Sequence, residues 1–545
     1  MEMTKKMKMA AVGAAAVAVV GGGVFAYTRL DGGDPKETVI QAFENVYTEG
    51  QTDPMEELFG LSEFAKAGVS ASQNSGLMLK LDSCSEPAVN TYAGSGLRID
   101  AKNDVENNKV SANMGIIYNG MDLVNLDLYY GDDTVMAAVP ELSPKVFTLD
   151  FGEGLEERLK NSPMLGSALE QSGVDASVMA EYMEMLAEQA RQTQEGQAAS
   201  FDLKALMKRY REGCKAEDDF KAALTVEKGE KASFTIDGKE QACRGYEVTV
   251  SKEAMINFLR TSSDFFLQDE ILKKDFLKRL ELSVKLSQLA GAQMEGQDFP
   301  TAQEMQEQTY EEARTEIDGM IEFLDSSLND VSMTVYVDKE GCLASVKGTT
   351  SFNSTGSEAE PVQLQFGCEL KGGAYPTQNM SAQAVLENGA ASVQIEAVKE
   401  GAYDGKELTS GFELSIENQG EIAEKWDITL DSSYNSEGGG FDVQAAAAQD
   451  GMELLGFSAQ GVVDELEKGK NIHLTLDSLD VSAMGDTGNA VLSGEYYIRP
   501  LTEEVVPLEG DTMDVLAAGE EEWNSVLMEV LFSFISLSGQ MDTGN

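Results

Sequence analysis

Every imidazole-dependent chemistry open to this chain has to be built on His473, the one histidine among 545 residues. A Ser-His-Asp or Cys-His arrangement would recruit it as the base, and a metal site needing two imidazoles cannot form within one molecule. Its setting argues against such a role. In Ile472-His473-Leu474-Thr475-Leu476 the apolar residues alternate, so Ile472, Leu474 and Leu476 take a buried face while His473 points the other way, beside Thr475 and Asp477. No G-x-S-x-G elbow or S-x-x-K supplies a nucleophile, and no P-loop or G-x-G-x-x-G supplies a phosphate cradle. Carboxylates are abundant instead. Asp132-Asp133, Glu156-Glu157, Asp218-Asp219 and Glu311-Glu312 are adjacent pairs of the kind found in solvated turns and on helix faces. A glycosidase needs two carboxyl groups held across a cleft, with aromatic platforms for the sugar rings, and this chain has two tryptophans, Trp426 and Trp523. The acidic turn 100–106 lacks the D-x-[DN]-x-[DN]-G spacing of a calcium loop. These residues imply no catalytic, cofactor or metal site.

The five cysteines, Cys84, Cys214, Cys243, Cys342 and Cys368, form no C-x-x-C, which argues against zinc-ribbon and thioredoxin-like dithiol chemistry. Disulfides are the remaining use. Taking 353–357 as a five-residue turn sets Cys342 opposite Cys368 and Val346 opposite Leu364, with both cysteines on the apolar face beside Ala344 and Phe366. Directly opposed residues of an antiparallel pair lie about 4.5–5.5 Å apart at Cα, within disulfide reach. A Cys342–Cys368 bridge is therefore expected. A second, Cys214–Cys243, would join a helix end to a following strand and leave Cys84 unpaired; five buried, reduced thiols are the alternative.

Oxidation depends on compartment, and the N-terminus speaks to it. Lys5, Lys6 and Lys8 precede an apolar run over 9–27, followed by Arg29 and an acidic segment from Asp31. As a helix that run is roughly 28 Å long, enough to cross a bilayer, and the flanking lysines keep the N-terminus in the cytoplasm. Residues 1–30 read as a cytoplasmic stub with a single-pass signal-anchor helix, and the C-terminal bulk as extracytoplasmic. The small-residue pattern at Val24-Phe25-Ala26 makes secretion after signal cleavage the alternative. With 94 acidic against 41 basic residues the formal charge is −53, which disfavours nucleic acid and anionic headgroups as broad partners and keeps an exposed protein soluble.

The body behind the anchor divides into an α+β region, 31–330, and a mainly β region, 331–545. Helical spacing over 35–59 places Val39, Phe43 and Val46 on one stripe, and short alternating strands follow at 77–81, 97–101, 109–118, 121–130 and 134–139. From 152 to 214 the period is helical; strands at 232–236 and 246–250 precede a helix opened by Ser251, and Thr301 with Glu304 has capping-box spacing ahead of another. From 331 to 500 nearly everything alternates with period two. Asn388-Gly389 predicts a type I′ hairpin in which Met380 faces Ala397, Ala382 faces Ile395, Ala384 faces Val393 and Leu386 faces Ala391. A last helix, 523–537, carries Val526, Leu527, Val530 and Phe534 on one side and is expected to pack on the sheet; it lacks the Lys and Arg of interfacial helices. The fold class is α+β: an extended, curved antiparallel meander with helices packed on one face, plus the N-terminal transmembrane helix.

Two stretches resemble the lipoprotein-carrier fold of the LolA and LppX type: Tyr129-Tyr130-Gly131-Asp132-Asp133 leading to Val139-Pro140, and Val335-Tyr336-Val337-Asp338-Lys339-Glu340-Gly341 leading into Leu343. The overall plan is similar to N-terminally anchored surface proteins of Gram-positive anaerobes, and neither resemblance carries over a functional residue. A sheet whose helical cover is incomplete can hold an amphipathic ligand. The expectation is a non-enzymatic, membrane-tethered protein binding an apolar or amphipathic ligand, or a client or surface protein, on a face that includes Met380, Ile395, Val393, Leu364 and Phe366. A structural or adhesive cell-surface module with a fully packed sheet, and a carboxylate-dependent hydrolase, are the alternatives.

Overall fold

A computed structural model of the chain describes residues 34–46, 53–152, 154–172, 175–177, 179–184, 203–291, 300–353, 361–389, 391–420, 423–483 and 488–542. The expected anchor run lies outside these residues. Among the described residues no helix is long and apolar enough to cross a membrane.

One 20-stranded sheet organises the molecule. Strands β1 (Gln73–Cys84), β2 (Gly96–Asp104), β3 (Lys109–Tyr118), β4 (Met121–Gly131), β5 (Thr134–Ala138) and β6 (Lys145–Asp150) form an antiparallel meander. A hairpin, β7 (Thr225–Ile236) and β8 (Lys239–Val250), pairs through β8 with β9 (Val331–Val337). A second meander then runs through β10 (Leu343–Phe352), β11 (Val362–Gly372), β12 (Asn379–Asn388), β13 (Ala391–Tyr403), β14 (Glu407–Gln419) and β15 (Glu424–Asn435). It continues through β16 (Gly440–Gln449), β17 (Met452–Glu467), β18 (Asn471–Ala483) and β19 (Gly488–Pro500). Strand β19 returns to pair with β1, which joins the two meanders, and β20 (Asp511–Asp514) adds in parallel to β6 at one edge. Every other ladder is antiparallel.

Local chemistry explains the meander. At Asn119-Gly120, Asp132-Asp133, Asp237-Gly238 and Asp450-Gly451 both residues of a two-residue loop have positive φ, as the type I′ turn requires. The adjacent carboxylates Asp132 and Asp133 are thus a turn.

Two expected registers are corrected. Across β12–β13 Met380 faces Lys399, Ala382 faces Ala397, Ala384 faces Ile395 and Leu386 faces Val393, two residues from the expected pairing. Asn388 belongs to the ladder, opposite Ala391, so the turn begins one residue later, at Gly389; a shift of two keeps each side chain on its face. Between β10 and β11 the connection is 353–361, longer than the five residues assumed. Phe352 consequently faces Val362 and Val346 faces Cys368, four residues from the expected register. Cys342 lies before β10 in an exposed turn, its N–H donating to Asp338. The Cys342–Cys368 disulfide is therefore absent, as is Cys214–Cys243, and all five cysteines are free. Cys243 is buried opposite Ala232 in β7, and Cys214 ends a helix with its Sγ toward the Thr261 carbonyl.

Helices cover the apolar face at both ends of the sheet. At one end α1 (Pro35–Glu44) opens behind the Asp34 cap; α2 (Pro54–Phe59) and α3 (Leu61–Ser70) precede β1, and the short α4 (Pro87–Asn90) links β1 to β2. Helices α5 (Leu155–Asn161), α6 (Leu165–Ser172), α7 (Leu203–Gly213) and α8 (Ala216–Ala223) follow β6. Between β8 and β9 come α9 (Lys252–Gln268), capped by Ser251, α10 (Glu270–Gly291) and α11 (Ala302–Ser327), which opens with the expected Thr301–Glu304 capping box. The main core packs Val39, Phe43, Phe220, Met255, Ile321 and Leu324 of these helices against Val335, Val346, Phe352, Leu364 and Leu386 of the sheet. At the other end Leu155 and Leu159 of α5 pack around Leu516, and α12 (Glu520–Asp542) sets Trp523, Val526 and Val530 on Phe147 and Met513. The expectation for α12 is corrected in part: Leu527 and Phe534, about 40° and 20° around the helix from Trp523, are 64% and 60% exposed.

Candidate functional site

Side chains alternate across a strand, so the registers assign every residue to one of two faces. Val335, Val346, Cys368, Ala382 and Ala397 follow one another across β9–β13 on the helix-covered face. The same face continues beyond the helices. One rung runs Phe412, Leu430, Ala445, Phe457 and Val481 across β14–β18. Another runs Leu474, Tyr496, Leu77, Ile99, Met114 and Leu126 across β18, β19 and β1–β4. Here the apolar side chains are bare among the described residues: Leu430 is 44% exposed, Phe457 41%, Leu77 37% and Ile116 51%. The strip crosses ten strands, β14–β19 and β1–β4, or about 43 Å at the usual strand spacing. At the end of β15, α2 approaches this face, with the Phe59 ring 4.7 Å from that of Tyr434.

The opposite face is polar. Asp431, Gln444, Ser458 and Asp480 form its rung across the same strands. Arg98 reaches Asp100 and Asp122 there, and Tyr497 donates to Asp100 at 2.7 Å. Burial and that hydrogen bond push the Tyr497 hydroxyl up to about 12. His473 lies on this polar side, as expected, with Asp464 at 3.4 Å from Nδ1 and Glu495 at 3.7 Å from Nε2. Among the described residues no group of three or more His, Cys, Asp or Glu side chains could hold a metal ion. A depression of about 430 Å³ on the polar face of β8–β12 is lined by Glu247, Thr334, Lys347, Thr349, Gln365 and Gln383. Its charges have partners within the fold: Thr334 donates to Glu247, and Lys347 pairs with Glu369 at 2.9 Å.

The residues expected to form a ligand face divide at the boundary of the helical cover. Leu364 is 2% exposed inside the main core and Phe366 packs against it; Val393 is also buried. Met380 and Ile395 are half-buried. The bare strip begins beyond them, where Ile395 pairs with Ile416 and Ile416 with Trp426. Trp426 Nε1 is shielded from solvent and has no hydrogen-bond partner among the described residues. A signal for the strip was present in the sequence. Among the described residues no helix occurs between 331 and 519, so any helical cover seen on those strands comes from elsewhere in the chain.

No family model and no curated protein matches this chain.

Proposed function

We propose that this chain is a non-enzymatic, membrane-tethered extracytoplasmic protein whose bare sheet face takes up the acyl chains of an amphipathic lipid. One observation carries the reading: an apolar face that is packed under helices at both ends stays open across ten strands between them. Exposed contiguous apolar surface of this extent marks a binding surface. A strip of about 43 Å accommodates tails that occupy about 15 Å each, half the hydrocarbon thickness of a bilayer. The orphan indole N–H of Trp426 offers a donor to an ester or carboxylate oxygen at the edge of such a tail. The lysine-flanked run 9–27 and the likeness of 126–140 and 335–343 to lipoprotein carriers support the same reading.

Energetics favour transfer over storage. Each methylene removed from water contributes about 0.8 kcal/mol, but a tail leaving a bilayer exchanges one apolar environment for another. Net retention then rests on headgroup contacts, so exchange with the membrane is readily reversible. A fully packed structural module, the competing reading, is opposed by the exposure of Leu430, Phe457 and Ile116.

The test is lipid extraction from the purified full-length chain followed by mass spectrometry. The reading predicts stoichiometric lipid in the parent and a several-fold loss in Leu430→Asp. Lipid-free protein, or lipid content indifferent to this substitution, would refute it.

A further inference from the structure

Small residues cut a trough into the bare face. Along β16 the side chains on that face are Gln449, Ala447, Ala445, Val443 and Phe441, read from their partners in β15. Ile428 and Leu430 of β15 stand on one side of the two alanines, and Leu455 and Phe457 of β17 stand on the other. These four wall residues are 40–58% exposed. Neighbouring strands lie about 4.8 Å apart, so the two walls are about 10 Å apart above a floor of methyl groups. One end of the trough is stopped by aromatic rings. Phe441 faces Tyr434, a Cβ at Gly461 would lie 2.7 Å from the Phe441 Cζ, and Phe59 of α2 lies 4.7 Å from Tyr434. The other end is open and carries hydrogen-bonding groups: Trp426 faces Gln449, beside the exposed Met452.

Shape and chemistry together select the occupant. A methylene chain lying midway between the walls is about 4.8 Å from each ridge, near van der Waals contact on both sides, so one chain fits and two do not. A helix, about 10 Å across, rides on the ridges without entering. An extended peptide is thin enough to enter, but the amides of β16 are already paired in the ladders on both sides, and the peptide's own amides would be buried without partners. A hydrocarbon chain has no such groups to satisfy. Building on the lipid uptake proposed above, we infer that β16 seats a single unbranched acyl chain, its terminal methyl toward Tyr434 and its carbonyl end beside Trp426 and Gln449. The Trp426 indole N–H, which has no partner among the described residues, then donates to the acyl carbonyl oxygen. Trp426 and Tyr434 are separated along β15 by about 27 Å, which leaves room between the rings at its two ends for a tail of about 15 Å.

Quenching of Trp426 in the full-length Trp523→Phe chain tests both the seat and its direction. A straight-chain fatty acid brominated next to its carboxyl group should quench Trp426 severalfold more than the same acid brominated near its methyl end. Ala445→Phe fills the floor between Leu430 and Phe457 and should weaken binding of the first acid about tenfold or more. Ala446→Phe makes the same change on the polar face of the same strand and should leave binding unchanged. Melting temperatures report whether each variant folds, and Ala447→Leu, a smaller filling of the same floor, repeats the test should Ala445→Phe be destabilised. Equal quenching by the two acids would overturn the direction of the chain. Affinity indifferent to Ala445→Phe and Ala447→Leu, or an equal loss in Ala446→Phe, would overturn the β16 seat while leaving lipid uptake on the rest of the strip standing. No quenching by either acid would instead remove lipid uptake itself, and the seat with it.

Discussion

Leu364 and Leu430 share a face of one sheet and differ in what lies over them. Leu364 is sealed beneath α9 and α11, whereas Leu430 is 44% exposed. Leu364→Ala should therefore cost about 2–5 kcal/mol in denaturant unfolding, from lost burial and the cavity left behind. Leu430→Asp should cost no more than about 0.5 kcal/mol, as expected at a surface position. The pair separates a residue that holds the fold from one that the fold leaves exposed. Asp269 gives the residue-scale pH prediction. Its carboxylate accepts two hydrogen bonds from Arg209 at 2.9 Å and one from the Leu272 amide at 2.7 Å, and the Arg209 bonds hold its pKa below the usual range. A depressed folded-state pKa contributes stability that is present above the unfolded value, near pH 4, and is lost as pH falls through the folded one. Asp269→Asn should lower stability by about 2 kcal/mol at neutral pH, and its deficit relative to the parent should shrink in acid below about pH 4. Chemical unfolding at several pH values reads both effects.

Among elements, α1 is fixed to α8 by a buried pair, Lys221 Nζ to Glu44 Oε1 at 3.5 Å. Removing Lys221 takes a neighbouring cation from the buried Glu44 carboxylate. Lys221→Ala should cost about 3–5 kcal/mol by denaturant unfolding. Elements are also the scale at which the sequence was most legible. The capping box at Thr301 and Glu304, the Ser251 cap and the strands at 109–118 and 121–130 were readable because each is written in adjacent residues. Register was less so, because it depends on where a loop ends. A turn displaced by one residue moved the β12–β13 pairing by two, and the longer 353–361 connection carried Cys368 away from Cys342. The apolar character of that face was legible from alternation. Its bare portion was signalled only indirectly, by the near-continuous alternation over 331–500, because cover is supplied by helices distant in sequence and Leu364 reads the same as Leu430 until α9 and α11 are placed.

At the scale of the whole molecule the decisive ladder is β1–β19, which joins residues more than four hundred positions apart and makes two meanders one sheet. That seam is closely fitted: a Cβ at Gly494 would lie 2.0 Å from the Met78 carbonyl oxygen. Without the seam the bare strip would be two shorter ones, so its continuity belongs to the assembled sheet. The sheet also brings an intrinsic reporter to the strip. Of the two tryptophans, Trp426 sits on the bare face opposite Ile416, and Trp523 stacks on Phe147 at 5.9 Å. Replacing Trp523 with Phe in the full-length chain leaves Trp426 as the sole indole, and titration with a fatty acid brominated along its chain then reports contact directly. Saturable quenching of Trp426 is expected, and Leu430→Asp should abolish it. Unchanged emission, or quenching that Leu430→Asp leaves intact, would contradict it.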